Sequence, residues 1–201
     1  MRIRIGPVPD HTGFHPEQGD WRRLKEPAFD RLLLLALGAS VLIAAGVWAV
    51  WVALIRLHGT GDHVQIVLSP KTLLVSIAAL AALAVVHELV HAAVLPRCGW
   101  TSATTVGFWP QKLTPYVSYD GELSRNRHIT VGLMPFLLLS AAPVLIGLLF
   151  AWTPSWVAFL STVNAFISSG DLIGAVLLVV QTPRAAIVRS KGLETWWRSS
   201  A

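Results

Sequence analysis

Four long apolar runs govern what this chain can fold into. Arg31 and Arg56 bracket the first, Leu32 to Ile55, whose 24 residues suffice as a helix to cross the roughly 30 Å of a bilayer's hydrocarbon. The second runs from Thr72 to Pro96 and is rich in alanine, which lets neighbouring helices approach closely. The third runs from Ile129 to Trp152 and contains Pro135 and Pro143, which in a spanning helix mark kinks supported by neighbours. After the turn Thr153-Pro154-Ser155, the fourth runs from Trp156 to Val180. Charged residues make up 13% of the 201, against about 25% in a soluble domain, so the chain has little surface to offer water. Nine tryptophans suit the aromatic belts of a bilayer protein. The expected fold is an all-α membrane protein with about four transmembrane helices. The expected division is an N-terminal tail 1–31, a four-span domain 32–180 and a basic tail 181–201.

Lysine and arginine orient such a chain. The N-terminal segment through Arg31 has six, the first loop two, the middle loop Arg97 to His128 four, the third loop none and the C-terminal tail four. Both termini and the middle loop are therefore expected in the cytoplasm, with the protein a multi-pass component of the cell membrane. The net charge of +5 reads as this orienting bias rather than as a nucleic-acid footprint.

The connecting segments carry weaker signals. Residues 1–31 hold Pro7, Pro9, Pro16 and Pro27 and read as irregular, without the apolar core of a cleavable signal. His11 and His15 have the spacing of a helical metal pair, but glycines and prolines surround them and no acid lies between. They read as solvated. His58 and His63 read as loop histidines, and His63–Leu68 as a weak strand. A single cysteine, Cys98, leaves no intramolecular disulfide and no thiolate cluster. In the middle loop, Thr104–Trp109 and Leu113–Tyr119 read as a small β-hairpin around Pro110-Gln111-Lys112. Pro115 suits an edge strand, and an edge can pair with an extended peptide. Tyr116, Val117 and Tyr119 are the candidate substrate-binding positions there, and His128 reads as a helix-start residue.

One stretch carries chemistry, His87-Glu88-Leu89-Val90-His91. On a helix, residues four apart share a face, so the two imidazoles can bind one metal ion. The glutamate between them can serve as general base on a water that the metal polarises. Within the spans the ionisable side chains are His87, Glu88, His91 and Asp171. A charged carboxylate at the bilayer centre costs about 2.5 kcal/mol or more, so each needs a reason to be there. Asp171 lies at a depth comparable to that of the histidines and supplies the carboxylate a third ligand would need. The donor set favours Zn2+. Asn164 and Ser168 share the helical face of Asp171. Asn164 either binds the substrate backbone or bridges helices. Gly170 and Gly174 form a small-residue pattern suited to close helix packing.

The HExxH stretch, followed by Asn164 and the Gly170-Asp171 pair, resembles the site-2 protease clan of intramembrane metalloproteases. It looks more closely like a family of membrane zincin peptidases, over roughly Thr72 to Val180. The resemblance implies zinc held by His87, His91 and Asp171, Glu88 as base, Asn164 near the substrate, and a membrane-protein or peptide substrate. The site-2 pattern has a proline after the asparagine and an Asp-Gly pair; here the proline is missing and the order is Gly170-Asp171. Two other readings stay open. A farnesyl-protein protease would use a glutamate as third ligand, and none follows in the spans. A non-catalytic metal-binding module or transporter would not need Glu88.

Overall fold

The structure is a computed structural model and describes residues 1–26, 29–58 and 69–200. His63 and the expected strand His63–Leu68 lie outside the described residues. Three helices are long and apolar enough to cross a membrane: Leu34–His58, Pro70–Val94 and Arg125–Phe150. The first belongs to α1 (Phe29–His58), which His58 ends, and the second is α2 (Pro70–Val94). The third is composite, with α3 (Arg125–Phe136) passing through a π-turn at Leu137–Ala141 into α4 (Ala142–Phe150). Neither Pro135 nor Pro143 has an N–H to give to the helical ladder, and a π-turn takes up such a mismatch. His128 lies in the first turns of α3, as its position in the sequence suggests.

The fourth apolar run is not one straight span. It divides into α5 (Ser155–Ile167) and α6 (Ser169–Gln181), bent by 47°. Ser168 makes the break. Its N–H and its hydroxyl both donate to the carbonyl of Asn164, at 2.9 and 2.8 Å, and such back-bonding by serine bends helices.

The chain forms two compact units. One comprises Leu33–His87 and Pro135–Gly170. Its centre is Trp51, fully buried with Leu54, Val157 and Ala158. The indole Nε1 donates to Ser161 Oγ at 2.6 Å, and Ser140 Oγ donates to the Ser161 carbonyl at 2.7 Å. Gly147 admits the Trp51 ring, since a Cβ there would stand 3.0 Å from it.

The second unit comprises Met1–Leu32, Glu88–Met134 and Asp171–Ala201, and it adds two small sheets to the mostly helical chain, more strand than the single expected hairpin. A three-stranded sheet has β1 (Arg2–Ile5) parallel to β3 (Thr104–Trp109), with β4 (Thr114–Tyr119) antiparallel on the far side of β3. The middle-loop hairpin is therefore present, with Leu113 in the left-handed region at its turn. The N-terminal segment read as irregular supplies a strand of the same sheet. A four-stranded sheet has the order β2 (Arg22–Arg23), β7 (Glu194–Ser199), β6 (Ala186–Lys191), β5 (Leu123–Ser124). The C-terminal tail is thus a hairpin, turned at Gly192 with φ +59°. His11 is not solvated: it is buried and its Nε2 lies 2.8 Å from Ser118 Oγ.

This sheet packs on α6 and α3 through Leu24, Leu178 and Val188, joined by Ile129, Leu177 and Trp197. Gln181 clasps the backbone of Lys25 in both directions, accepting at 2.8 Å and donating at 3.0 Å. The buried Arg125 at the start of α3 donates to Thr182 Oγ1 (3.0 Å) and the Val179 carbonyl (2.9 Å) at the end of α6. Arg127 reaches the Val94 carbonyl at the end of α2 at 3.1 Å. Cations at helix C-termini satisfy carbonyls that have no helical partner, and here they tie three helix ends together.

Candidate metal centre

His87 and His91 are one turn apart on α2, which is unbroken from Pro70 to Val94. Both are buried, 5% and 8% exposed. The two compact units divide between His87 and Glu88, inside this helix, so helix geometry alone sets one imidazole against the other. Asp171 stands in the first turn of α6, where the helix dipole favours a negative charge. Its Oδ2 lies 3.4 Å from His91 Nε2. Ligand atoms of His87, His91 and Asp171 all lie within 4.8 Å of one another. Donors around one zinc at about 2.0–2.2 Å stand roughly 3.3–3.6 Å apart, so small side-chain rotations bring the three onto one ion. Glu88 sits between the histidines, half-buried.

Both imidazoles are held from behind by the same ring nitrogen. His91 Nδ1 donates to the Val131 carbonyl at 2.7 Å. His87 Nδ1 donates to Asn164 Oδ1 at 3.0 Å. With Nδ1 protonated, Nε2 keeps its lone pair for a metal, which is how metal-binding histidines are usually oriented. The donor chemistry therefore fits zinc: two imidazoles anchored through Nδ1, with Nε2 on the side of the carboxylate, and one carboxylate.

Pro135 is the source of both supports, and reading the sequence for kinks alone misses this. In a helix the Val131 carbonyl would accept the N–H of residue 135, four positions on. Proline has none, so that carbonyl is released and His91 takes it. The Pro135 carbonyl, where the ladder widens into the π-turn, accepts Asn164 Nδ2 at 3.0 Å. The signal was available: a proline four residues after Val131, in a helix facing the motif. Asn164 is fully buried and its amide also donates to Ser140 Oγ at 2.9 Å. Its Oδ1 and Nδ2 both have partners within the protein, which is the helix-bridging arrangement, and the bond to His87 orients that imidazole.

Asn164→Ala is expected to weaken zinc about 10–100-fold, the usual effect of losing such an outer hydrogen bond. Titration against a competing chelator measures it. Pro135→Ala restores an N–H that competes with His91 for the Val131 carbonyl. It is expected to weaken zinc about tenfold while raising the melting temperature of the metal-free protein, since a helix-interior proline is itself unfavourable.

The small-residue pattern does not bring Asp171 into place. A Cβ on Gly170 or Gly174 would meet nothing within 4 Å, whereas one on Gly132 would stand 3.4 Å from the Asp171 carbonyl. The close approach of α3 and α6 is at Gly132. Tyr116, Val117 and Tyr119 are not members of the metal group; they lie along β4. Tyr116 is buried, with its hydroxyl donating to the Pro7 carbonyl at 3.2 Å, so its side chain serves the fold.

Neither a curated protein nor a solved structure matches the chain. The sequence profile of a family described as "Putative zincin peptidase" matches residues 80–187. That stretch is just over half of the chain and holds the motif helix, the hairpin, Pro135, Asn164 and Asp171. With that match and a His-His-Asp group suited to the zinc that such peptidases use, the chain belongs to this zincin peptidase family.

Proposed function

We propose that the chain is an integral membrane zinc metallopeptidase that hydrolyses peptide bonds within or near the bilayer. The observation that carries the reading is the group His87, His91 and Asp171 with Glu88 set between the histidines. Its location at the ends of helices apolar enough to span a membrane supports the intramembrane part. Bound there, zinc would supply Lewis acidity toward a water and a scissile carbonyl. Glu88 accepts the proton of the attacking water and delivers it to the leaving amine. Asn164 and the Val131 carbonyl keep the two imidazoles in the tautomer that can bind metal. The site-2 protease resemblance and the lysine and arginine distribution favour a cytoplasmic site, with both termini on that side and a membrane-protein or peptide substrate.

The edge of β4 is the proposed substrate strand. Proline is tolerated in a sheet where its nitrogen faces away from the ladder. Pro115 therefore places the amides of Val117 and Tyr119, two and four residues on, at the open edge. Val117→Pro and Tyr119→Pro are expected to abolish cleavage with zinc still bound, as measured by peptide hydrolysis and metal content side by side. Full cleavage in both would remove the strand-addition step.

The reading as a whole is tested by reconstituting the purified protein with candidate membrane-protein substrates, stripping it with a chelator and adding zinc back. Cleavage lost on stripping and restored by zinc is expected. Cleavage that survives full removal of metal would overturn it.

A further inference from the structure

We infer that a cleft beside the N-terminal strand is a second binding site, for a phosphate-bearing anion. The cavity is about 400 Å3 and lies between β1 and the chain leading into β3. Arg2, Arg4, His11, Ser102, Thr105 and Asp120 line it. Arg2 and Arg4 alternate with Ile3, so both project from the same face of β1, about 7 Å apart along the strand. Arg2 is in register with Thr105 and Arg4 with Gly107, where the Tyr116 ring lies close against the glycine.

The electrostatics single out an anion. Among the described residues neither Arg2 nor Arg4 has a hydrogen bond or an ion pair. Asp120 is already engaged, with its Oδ1 2.8 Å from Arg189 Nη2. Asp10 lies with its Oδ1 toward the Gly192 turn. His11 adds no charge at neutral pH, because burial lowers its proton affinity. Two guanidinium groups thus face a cleft whose nearest carboxylate is compensated, with the hydroxyls of Ser102 and Thr105 beside them. Guanidinium forks match the oxygens of a phosphate and bind it in bidentate fashion. The cavity has room beyond one phosphate. A phosphate ester fits this better than a small carboxylate.

The neighbouring Ser118, His11 and Asp120 invite a different reading, as a nucleophile with its base. Ser118 is buried and does not line the cavity. His11 Nδ1 is 3.6 Å from Asp120, too far for a hydrogen bond. His11 and Asp120 line the cleft, and the hydrogen bond from His11 to Ser118 beneath it ties the segment after β1 to the sheet.

The ester could be a lipid headgroup or a soluble phosphate, and two titrations of the full-length detergent-solubilised protein separate them. One uses inorganic phosphate, followed by calorimetry. The other uses phosphatidylglycerol in mixed micelles with phosphatidylcholine as reference. Saturable binding in either arm, weakened about tenfold or more in Arg2→Gln/Arg4→Gln, is the expected result, and the arm that saturates names the source. Both arginines are exposed on an edge strand, so the variant retains the fold, and an unchanged melting temperature verifies it. Arg184→Gln/Lys191→Gln removes the same charge elsewhere on this unit and is expected to bind as the parent does. No saturable binding in either arm, binding unchanged in the Arg2/Arg4 variant, or equal loss in the Arg184/Lys191 variant would overturn the site.

Discussion

Glu88→Gln is expected to retain about one zinc per chain and to lose peptide hydrolysis by about 10²–10⁴-fold, the contribution of a positioned general base. The amide has the size of the carboxylate but cannot accept a proton at neutral pH. The exchange therefore leaves the packing of α2 unaltered and removes one function. Metal content by mass spectrometry and initial rates on the same preparation make the comparison. Zinc kept and turnover lost would assign Glu88 as the base. Turnover kept in full would end the hydrolytic mechanism and leave a metal-binding membrane module. A transporter or scaffold has no need of a carboxylate between the two histidines, so this substitution also separates the enzyme from the non-catalytic classes.

Asp171→Ala is expected to remove stoichiometric zinc, an effect larger than the roughly 10–100-fold of an outer hydrogen bond. The aspartate is 29% exposed at its side chain and sits at a helix start. Its loss leaves no large cavity, and the fold is held elsewhere by Arg125, Gln181 and the Leu178 cluster. Loss of zinc with an unchanged circular dichroism spectrum therefore reports on ligation. Asp171→Asn keeps the shape and lowers the donor strength, and it is expected to fall between the parent and Asp171→Ala. Zinc bound as tightly in both variants as in the parent would place the third ligand elsewhere. Because Asn164 is not itself in the His-His-Asp group and meets it through His87, the ordering Asp171→Ala below Asn164→Ala in zinc affinity distinguishes a ligand from a positioning residue.

The metal group was legible in the chain because its signal is local or rests on scarcity. His87 and His91 are four residues apart, and helix periodicity alone puts them on one face. Asp171 stands out because a carboxylate in an apolar run is costly, even though eighty residues separate it from the motif. Asn164 was legible as a polar residue in an apolar run, but its partner was not. The amide faces His87 because α5 ends in the Ser168 bend and α3 opens into a π-turn, and neither event follows from one helix considered alone.

The sheets were the larger miss, and the reason is range. β1 pairs with β3 across about a hundred residues, and β2 with β7 across more. β1 and β2 are short and carry two arginines each, so the N-terminal segment has the composition of a solvated tail. His11 shows the same limit: a buried imidazole on Ser118 was read as solvent-facing because its neighbours in sequence are glycine and proline, and its neighbours in space are on β4.

The amino-acid sequence by itself determined the apolar helices, the hairpin of the middle loop and the three side chains of the candidate metal group, since periodicity, turn residues and the cost of charge in apolar surroundings act within a single segment. Tertiary structure alone decided how those ligands are oriented. Pro135 frees a carbonyl by a local rule, but only the packing of α3 beside α2 brings His91 to it. Long-range hydrogen bonds of this kind depend on which segments meet, and burial of the whole chain settles that.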